Sequence, residues 1–334
     1  MCLPCILLNQ IVHLRIKPMT HWKPSASLQN LKARAELLAT VRAFFAEREV
    51  LEVDTPSLSH YGVTDRYMRS MIAQVSSQEQ GILQTSPEYA MKRLLAAGSG
   101  SIYQICKAFR QDEVGSRHNP EFTMLEWYRL DFDHLQLMDE VYELVSKVLG
   151  PKQRQDLSYQ QSFIEFLGID PLSINDEELE QFARSNLGLL PDELERDDYL
   201  SLLFEDKIEP QLGLNDSVCF IYDYPASQAA LARISETDSR VAHRFELYIE
   251  GIELANGFYE LADCDQQLKR FEADNRWRVQ NNLPEMAIDQ HFIEALEHGL
   301  PECSGVALGL DRLLMIKLAT NDISDVIAFP WDRA

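Results

Sequence analysis

The sequence predicts an α+β fold in which an antiparallel sheet flanked by helices carries the functional site. Several segments alternate polar and apolar residues with the period of two that is typical of strands. Two of them, 101–113 and 121–128, are separated only by a short loop that contains glycine and proline, which favours antiparallel pairing. A mainly helical, acidic stretch at 135–216 follows, and we interpret it as an insertion.

The first elements have recognisable ends. Apolar residues recur at helical spacing over 28–49, which predicts an amphipathic helix. Residues 50–56 alternate apolar and acidic side chains and predict a strand that ends at its proline. A second strand, 81–85, leads into a helix that should run to about residue 97. Ser86 suits its N-cap, Pro87 its first position and Gly98 its end.

The paired strands should bring functional side chains to one face, because alternate residues of a strand point to the same side. Such polar faces on long strands are uncommon and favour a site. The residues in question are Gln104, Arg110 and Asp112 from the first strand, and Phe122, Met124, Glu126 and Tyr128 from the second.

Further strands are predicted at 218–222 and 245–249, and 305–310 should lead into a last helix. Between them, Glu253 and Glu260 lie seven residues apart, a spacing that is usual for a solvated helix face. The dipeptide Asn256-Gly257 indicates a turn there and argues against a helix.

The amino-acid composition indicates the kinds of partner and the cellular compartment to expect. The 334 residues carry a formal charge of -22, which disfavours a broad nucleic-acid surface and favours basic partners. No apolar run approaches the roughly 20 residues that cross a bilayer. Six scattered cysteines are typical of a reducing cytosol, so we expect a cytoplasmic protein without membrane contact. Residues 1–24 are expected to be a disordered extension or to reflect a misassigned start, with translation beginning at Met19.

A nucleotide would have to be held by side chains, because the sequence contains neither a Walker-type loop nor a strand-linked G-x-G-x-x-G. Two arginines are suited to this task. Arg110 opens the run Arg-Gln-Asp-Glu, and Arg312 closes the glycine-spaced run that begins at Gly305. The planar guanidinium donates two hydrogen bonds to phosphate oxygens and keeps its charge.

Together these segments resemble the three signature motifs of class II aminoacyl-tRNA synthetases. Motif one corresponds to 50–56, motif two to 107–128 and motif three to 305–312. The phrases Arg-His-Asn-Pro-Glu-Phe-Thr-Met at 117–124 and Gly-Ile-Glu-Leu-Ala-Asn-Gly-Phe at 251–258 are similar to the lysine, aspartate and asparagine subgroup and indicate lysine. The resemblance extends over most of the chain from residue 25.

Within the subgroup, the chain resembles lysyl-tRNA synthetase paralogues that attach (R)-β-lysine to a lysine of elongation factor P. Only about 50 residues precede motif one, too few for an anticodon-binding domain. The resemblance implies an AMP-forming ligase that uses ATP and Mg²⁺, has elongation factor P as acceptor and forms a homodimer through motif one. It makes tRNA an unlikely partner.

The resemblance also implies roles for individual residues. Arg110 and Arg312 would be catalytic, gripping the α- and γ-phosphates. Glu246 and Glu253 would hold Mg²⁺. The ATP site would comprise Arg110, Gln111, Asp112, Asn119, Phe122, Glu253, Leu254, Gly309 and Arg312, with Phe122 stacked on adenine. The amino-acid site would comprise Ser86, Pro87, Glu88, Glu126, Tyr128, Glu260 and Ala307, with Tyr128 and Glu260 on the distal ammonium.

Two positions depart from the family's pattern. Asp112 stands where motif two usually has glutamate, and Ala307 where lysyl-tRNA synthetases have glycine. Three alternatives remain open at this point: a truncated synthetase that acylates tRNA or another acceptor, an amide-forming enzyme of the asparagine synthetase type, and a catalytically silent paralogue that binds an amino acid. His118 is as compatible with a structural role as with a catalytic one.

Overall fold

The computed structural model describes residues 22–192 and 194–334. Its strands form one large sheet and one small one. In chain order they are β1 (Leu51–Glu52), β2 (Leu58–Ser59), β3 (Ile72–Gln74), β4 (Gln80–Leu83), β5 (Ile102–Phe109), β6 (Glu121–Leu130), β7 (Gln153–Ser158), β8 (Ser217–Pro225), β9 (Val241–Ile249), β10 (Ile252–Tyr259) and β11 (Cys303–Gly309).

Helices surround the sheets. They are α1 (Leu28–Ala46), α2 (Glu88–Ala96), α3 (His134–Leu149), α4 (Tyr159–Leu167), α5 (Asp176–Leu187), α6 (Arg196–Leu203), α7 (Cys264–Gln280), α8 (Gln290–His298) and α9 (Leu310–Leu318), with a π-helical turn at Phe204–Ile208 and 3₁₀ turns at Glu209–Gln211, Ala226–Gln228 and Ile323–Asp325. None of the helices in the described part of the chain has the length and apolar character needed to cross a membrane.

The large sheet has eight strands in the order β1-β5-β6-β11-β10-β9-β8-β7. The five neighbouring pairs from β5 to β8 are antiparallel, and only the outermost pairs, β1 with β5 and β7 with β8, are parallel. The predicted antiparallel α+β fold is therefore confirmed, including the pairing of the two strands around the loop 114–120.

The two faces of this sheet differ in chemistry, as the alternation of strand side chains requires. One face is apolar: Trp127 and Leu125 of β6 are fully buried in the main core, which also contains side chains of α1, α3 and α9. The other face carries Glu126, Tyr128 and their neighbours. The apolar face thus anchors the strands that present the polar side chains.

The region 135–216 is mainly helical, as predicted, but it is not uniform. Helix α3 packs in the main core, and β7 joins the large sheet. A separate apolar cluster begins at Tyr159 and includes side chains of α4, α5 and α6. The division of the chain into an extension and a catalytic domain with an insertion stays a prediction, and residues 1–21 of the extension lie outside the described residues.

The turn predicted at Asn256-Gly257 is wrong, since both residues lie inside β10. A Cβ atom on Gly257 would lie 2.4 Å from Cζ of Phe245 and 3.0 Å from the carbonyl oxygen of Gly305. This glycine therefore allows neighbouring strands to pack closely instead of reversing the chain. The spacing of Glu253 and Glu260 reflects two positions along or just after one strand.

Three predicted boundaries also differ. The first strand shrinks to Leu51–Glu52, and the strand predicted to reach residue 113 ends at Phe109. Helix α2 begins at Glu88 with Pro87 in the N-cap position. The Ser86 hydroxyl accepts a hydrogen bond from the Glu88 amide but donates to the Glu126 carboxylate, so the residue predicted as a cap serves the polar face of the sheet.

Candidate active site

The polar face of the large sheet lines a cavity of about 1010 Å³. Helix α2, the small sheet and the loop 114–120 contribute to its remaining walls. All the residues predicted for the site or the polar face line it except Gln104, Gln111 and Asp112, and Gln104 is buried with its amide oxygen accepting a hydrogen bond from the Thr55 hydroxyl. The structure therefore gathers residues that are separated by more than 200 positions in the sequence.

Strand register explains this convergence. Directly opposite one another across four strands lie Glu126 of β6, Ala307 of β11, Asn256 of β10 and Glu246 of β9. We call these four residues the transverse row. A neighbouring row pairs Tyr128 with Gly305 and Gly305 with Phe258. Because opposed residues of antiparallel strands share a face, each row projects into the cavity as a unit.

One end of the cavity is rich in buried carboxylates. Glu126 accepts hydrogen bonds from the Ser86 hydroxyl at 2.7 Å and from the Tyr128 hydroxyl at 2.7 Å. Burial, with repulsion from Glu88, raises the pKa of Glu126 to about 7. Its partners are neutral, so this carboxylate would gain most from an arriving ammonium group.

Glu88 and Glu260 line the same end, and both contact a lysine that the sequence reasoning missed. Nζ of Lys92 lies 2.6 Å from Oε1 of Glu88 and 2.6 Å from Oε2 of Glu260. Burial, only partly offset by Lys92, raises the pKa of Glu260 to about 8. Lys92 stands four residues after Glu88 on the predicted helix, a spacing that could have revealed the first pair.

The opposite end is rich in arginine. The Arg312 guanidinium donates to the carbonyl oxygen of Glu253 at 2.8 Å and lies 2.6 Å from Nε2 of His118. Burial and the Arg312 charge lower the pKa of His118, which favours a neutral imidazole that accepts this hydrogen bond. The contact makes His118 part of the site instead of a distant structural residue.

Arg110 and Phe122 also lie at this end, with the guanidinium 5.0 Å from the ring centroid. Such a planar pair suits an aromatic base and an anionic group. Asn119 lines the cavity as well, but its amide is engaged within the protein, donating to the Glu121 carbonyl and accepting from the Trp331 amide.

Gln111 and Asp112 do not line the cavity. The strand has ended before them, and Asp112 adopts a left-handed backbone with φ of 65°. Its carboxylate is largely exposed and lies 3.3 Å from Arg69. Glu113 lines the cavity instead and pairs with Arg110 at 3.5 Å. The sequence could have offered Glu113 as the alternative, because it directly follows Asp112.

Two further carboxylates, Glu246 and Glu253, line the cavity near the arginines. Burial and the nearby Glu246 raise the pKa of Glu253, a repulsion that a divalent cation would relieve. Oxygens of this kind are suitable ligands for Mg²⁺. Glu253 is the more available of the two, since Glu246 already accepts from Tyr224, Tyr248, Arg244 and Asn256.

Comparison with known proteins agrees with this geometry. The family described as tRNA synthetases class II (D, K and N) matches residues 12–333. A protein of Yersinia enterocolitica named elongation factor P--(R)-beta-lysine ligase is 53% identical over 320 residues, covering 94% of this chain and 98% of its own. Proteins of the same name from Proteus mirabilis and Vibrio atlanticus are 53% and 51% identical, with coverage of 94% of this chain and 98% and 99% of their own. The resemblance to these ligases is confirmed, and the chain belongs to the class II tRNA synthetase family of the D, K and N type.

Proposed function

We propose that this protein activates (R)-β-lysine with ATP as an aminoacyl-adenylate and transfers it to a lysine side chain of elongation factor P. The observation that carries the proposal is the polarity of the cavity, with Glu88, Glu126 and Glu260 at one end and the guanidinium groups of Arg110 and Arg312 at the other. A diamine with a carboxylate needs this distribution of charge. The names of the relatives, which are about half identical to the chain, supply the acceptor.

The first step is attack of the substrate carboxylate on the α-phosphorus of ATP. A phosphorus–oxygen bond forms to the substrate, and the bond to the β-phosphate oxygen breaks to release pyrophosphate. Glu88, Glu126, Glu260 and the Tyr128 hydroxyl would anchor the ammonium groups and so direct the carboxylate towards Arg110. Positioning and charge neutralisation account for such a reaction without a protein nucleophile.

The arginines take the phosphate charge. Arg110 would contact the α-phosphate, and Arg312 the γ-phosphate, with Phe122 beneath the adenine. Mg²⁺ held by Glu253 and Glu246 would neutralise the remaining phosphate charge. His118, as an acceptor for Arg312, would keep that guanidinium aimed along the cavity.

The second step consumes the adenylate. The uncharged amine of the acceptor lysine attacks the carbonyl carbon of the mixed anhydride, an amide bond forms, and AMP leaves with the anhydride oxygen. The proton released from the amine goes to solvent or to the departing phosphate. An acidic protein with a charge of -22 attracts a basic acceptor surface, which favours a protein lysine over the phosphates of tRNA.

A homodimer formed through motif one is part of this proposal. Strand β1 is an edge strand of the large sheet, and the Leu51 side chain is 55% exposed. An exposed apolar residue on an unprotected edge is a suitable contact for a second copy.

The direct test is amino-acid-dependent pyrophosphate exchange over a panel of (R)-β-lysine, (S)-β-lysine, α-lysine, ornithine, aspartate and asparagine. We expect the highest kcat/KM for (R)-β-lysine. Acceptor assays with purified elongation factor P and with tRNA should then give an amide on the protein only. Exchange without (R)-β-lysine preference, or acylated tRNA, would contradict the proposal. No exchange with any amino acid would favour the silent paralogue.

The Ala307 methyl group should contribute to this preference. Ala307 lies in the transverse row between Glu126 and Asn256, so its methyl group belongs to the cavity face. A single methyl in a packed pocket shifts selectivity by roughly 1 to 3 kcal/mol. With the distal ammonium fixed by Tyr128 and Glu260, the α-amino group of lysine would meet this methyl, whereas a β-amino group can reach Glu88.

Ala307→Gly should therefore raise kcat/KM for α-lysine relative to (R)-β-lysine, measured by pyrophosphate exchange on both isomers. Ala108→Gly, which removes a buried methyl from β5 outside the cavity lining, is the control and should leave the ratio unchanged. An unchanged ratio in Ala307→Gly would exclude the methyl group as the discriminator.

A further inference from the structure

A buried lysine lies behind the carboxylate end of the cavity without lining it. Lys92 lies behind Glu88 and Glu260, is 1% exposed and is not among the lining residues. Its ammonium bridges the two carboxylates at 2.6 Å each. The groups that face it are Glu88 on its own helix, Glu260 after β10, Glu126 on β6, Cys303 on β11 and the Phe292 ring on α8.

The bridge formed by Lys92 affects the net charge at this end of the cavity. Three carboxylates surround this end, of which Glu126 and Glu260 are buried and Glu88 is partly buried, with its side chain 17% exposed. Lys92 is the one cation among the residues just named. Buried charges are tolerated only when they are balanced. One lysine balances one carboxylate, so two negative charges remain for a ligand. A substrate with two ammonium groups supplies that number.

Resting on the function proposed above, we propose that Lys92 is a positioning residue that balances one of the three carboxylates Glu88, Glu126 and Glu260, so that the pocket matches a substrate with two ammonium groups. The lysine touches no substrate. It orients Glu88 and Glu260 from the side opposite the cavity. Its positive charge also neutralises one carboxylate, so that no third ligand cation or proton is needed.

The pKa values of the surrounding carboxyl groups indicate their protonation before a substrate binds. Burial raises the pKa of Glu126 to about 7 and that of Glu260 to about 8, while burial would lower the pKa of Lys92 but Glu260 and Glu88 raise it. Below pH 7 the empty site therefore holds Lys92 charged and these two carboxyl groups protonated. Two arriving ammonium groups displace those two protons.

Loss of Lys92 should shift the pKa values of the neighbouring carboxyl groups. Without its charge the carboxyl groups bind protons more tightly, so their pKa values rise further and the diamine competes less well at neutral pH. In Lys92→Met the acid limb of kcat/KM for (R)-β-lysine should move to higher pH by about one unit, which is about tenfold at pH 7. The change should lie in KM more than in kcat. Lys92→Arg, which keeps the charge, should retain most of the wild-type profile.

The control is Lys152→Met, which removes a largely buried lysine that pairs with Asp216 away from the cavity and should leave the profile unchanged. A purely structural role of Lys92 would lower the melting temperature and kcat without moving the acid limb. A Lys92→Met profile that coincides with the wild type would overturn the proposal.

A measurement on the unaltered protein covers the case in which Lys92→Met does not fold. Calorimetric titration with (R)-β-lysine at pH 6, in buffers of different ionisation enthalpy, should report the release of about two protons. Release of none, or of three, would overturn the charge balance. Failure of the proposed function is distinguishable, because the wild type would then show no exchange with (R)-β-lysine, whereas failure of this inference leaves that exchange intact.

Discussion

Arg312→Ala is expected to lower the rate of adenylate formation by roughly 10³-fold while the protein stays folded. Within the described residues, Arg312 contacts His118 and both the carbonyl oxygen and the carboxylate of Glu253, the latter at 3.7 Å, and neither residue belongs to the main core. Its removal therefore takes away positive charge from the arginine end of the cavity and little packing. Pyrophosphate exchange at saturating ATP and (R)-β-lysine measures the effect, and thermal denaturation checks the fold.

The matched control for this variant is Arg154→Ala. Arg154 is also a partly buried arginine with carboxylate partners, Asp139 and Asp156, but it does not line the cavity. Its loss should leave the exchange rate near that of the wild type. Arg312→Lys would separate charge from geometry, because a lysine cannot donate two parallel hydrogen bonds. Near-normal exchange in Arg312→Ala would remove this residue from the mechanism.

The second large effect is expected at Gly305, which is opposite Tyr128 in the sheet register. A Cβ atom there would lie 2.2 Å from Cε1 of Tyr128 and 2.5 Å from Oε1 of Glu260. Tyr128 is 2% exposed and cannot swing away, so the ring and the carboxylate must shift. Gly305→Ala should raise KM for (R)-β-lysine by roughly 10²-fold, while KM for ATP changes much less, since overpacking costs about 1 to 3 kcal/mol at one end of the cavity.

Steady-state exchange kinetics with each substrate varied in turn would measure this difference, with Gly115→Ala as the control. A Cβ atom on Gly115 would have its nearest neighbour, Nδ1 of His118, at 4.0 Å. That variant should bind the amino acid as the wild type does. Equal increases in both KM values for Gly305→Ala would indicate a general distortion of the sheet and contradict a local effect on the ammonium site.

The sequence predicted the antiparallel hairpin and the residues on its polar face because strand periodicity is a local signal. Glu126 and Tyr128 follow from counting by two along one strand. The need for glycine at position 257 could not be predicted in this way, because it comes from the Phe245 ring on a neighbouring strand, which leaves no room for a side chain. The prediction for Asp112 was wrong for a similar reason. Strand β5 ends at Phe109, so the Asp112 side chain is exposed, and where the strand ends depends on how the following loop folds.

Lys92 illustrates the remaining limit. Its pairing with Glu88 is a helical neighbour relation that the sequence contains, but Glu260 is 168 positions away and meets it only through the packing of α2 beside the end of β10. The family resemblance supplied the residues that are proposed to contact the ligands. It did not supply Lys92, because the role proposed for this residue depends on a charge balance between groups that are distant in the sequence.

The transverse row affects how the substrate preference of such a site can evolve. Each of its four positions lies on a different strand, and the opposite face of these strands is buried in the main core, which prevents a strand from sliding by one residue. A substitution in the row therefore changes one side chain of the cavity wall and leaves the other three in place. New substrate preferences are most accessible at Ala307, because exchanging Glu126 or Glu246 would break buried hydrogen bonds and lower the stability of the fold.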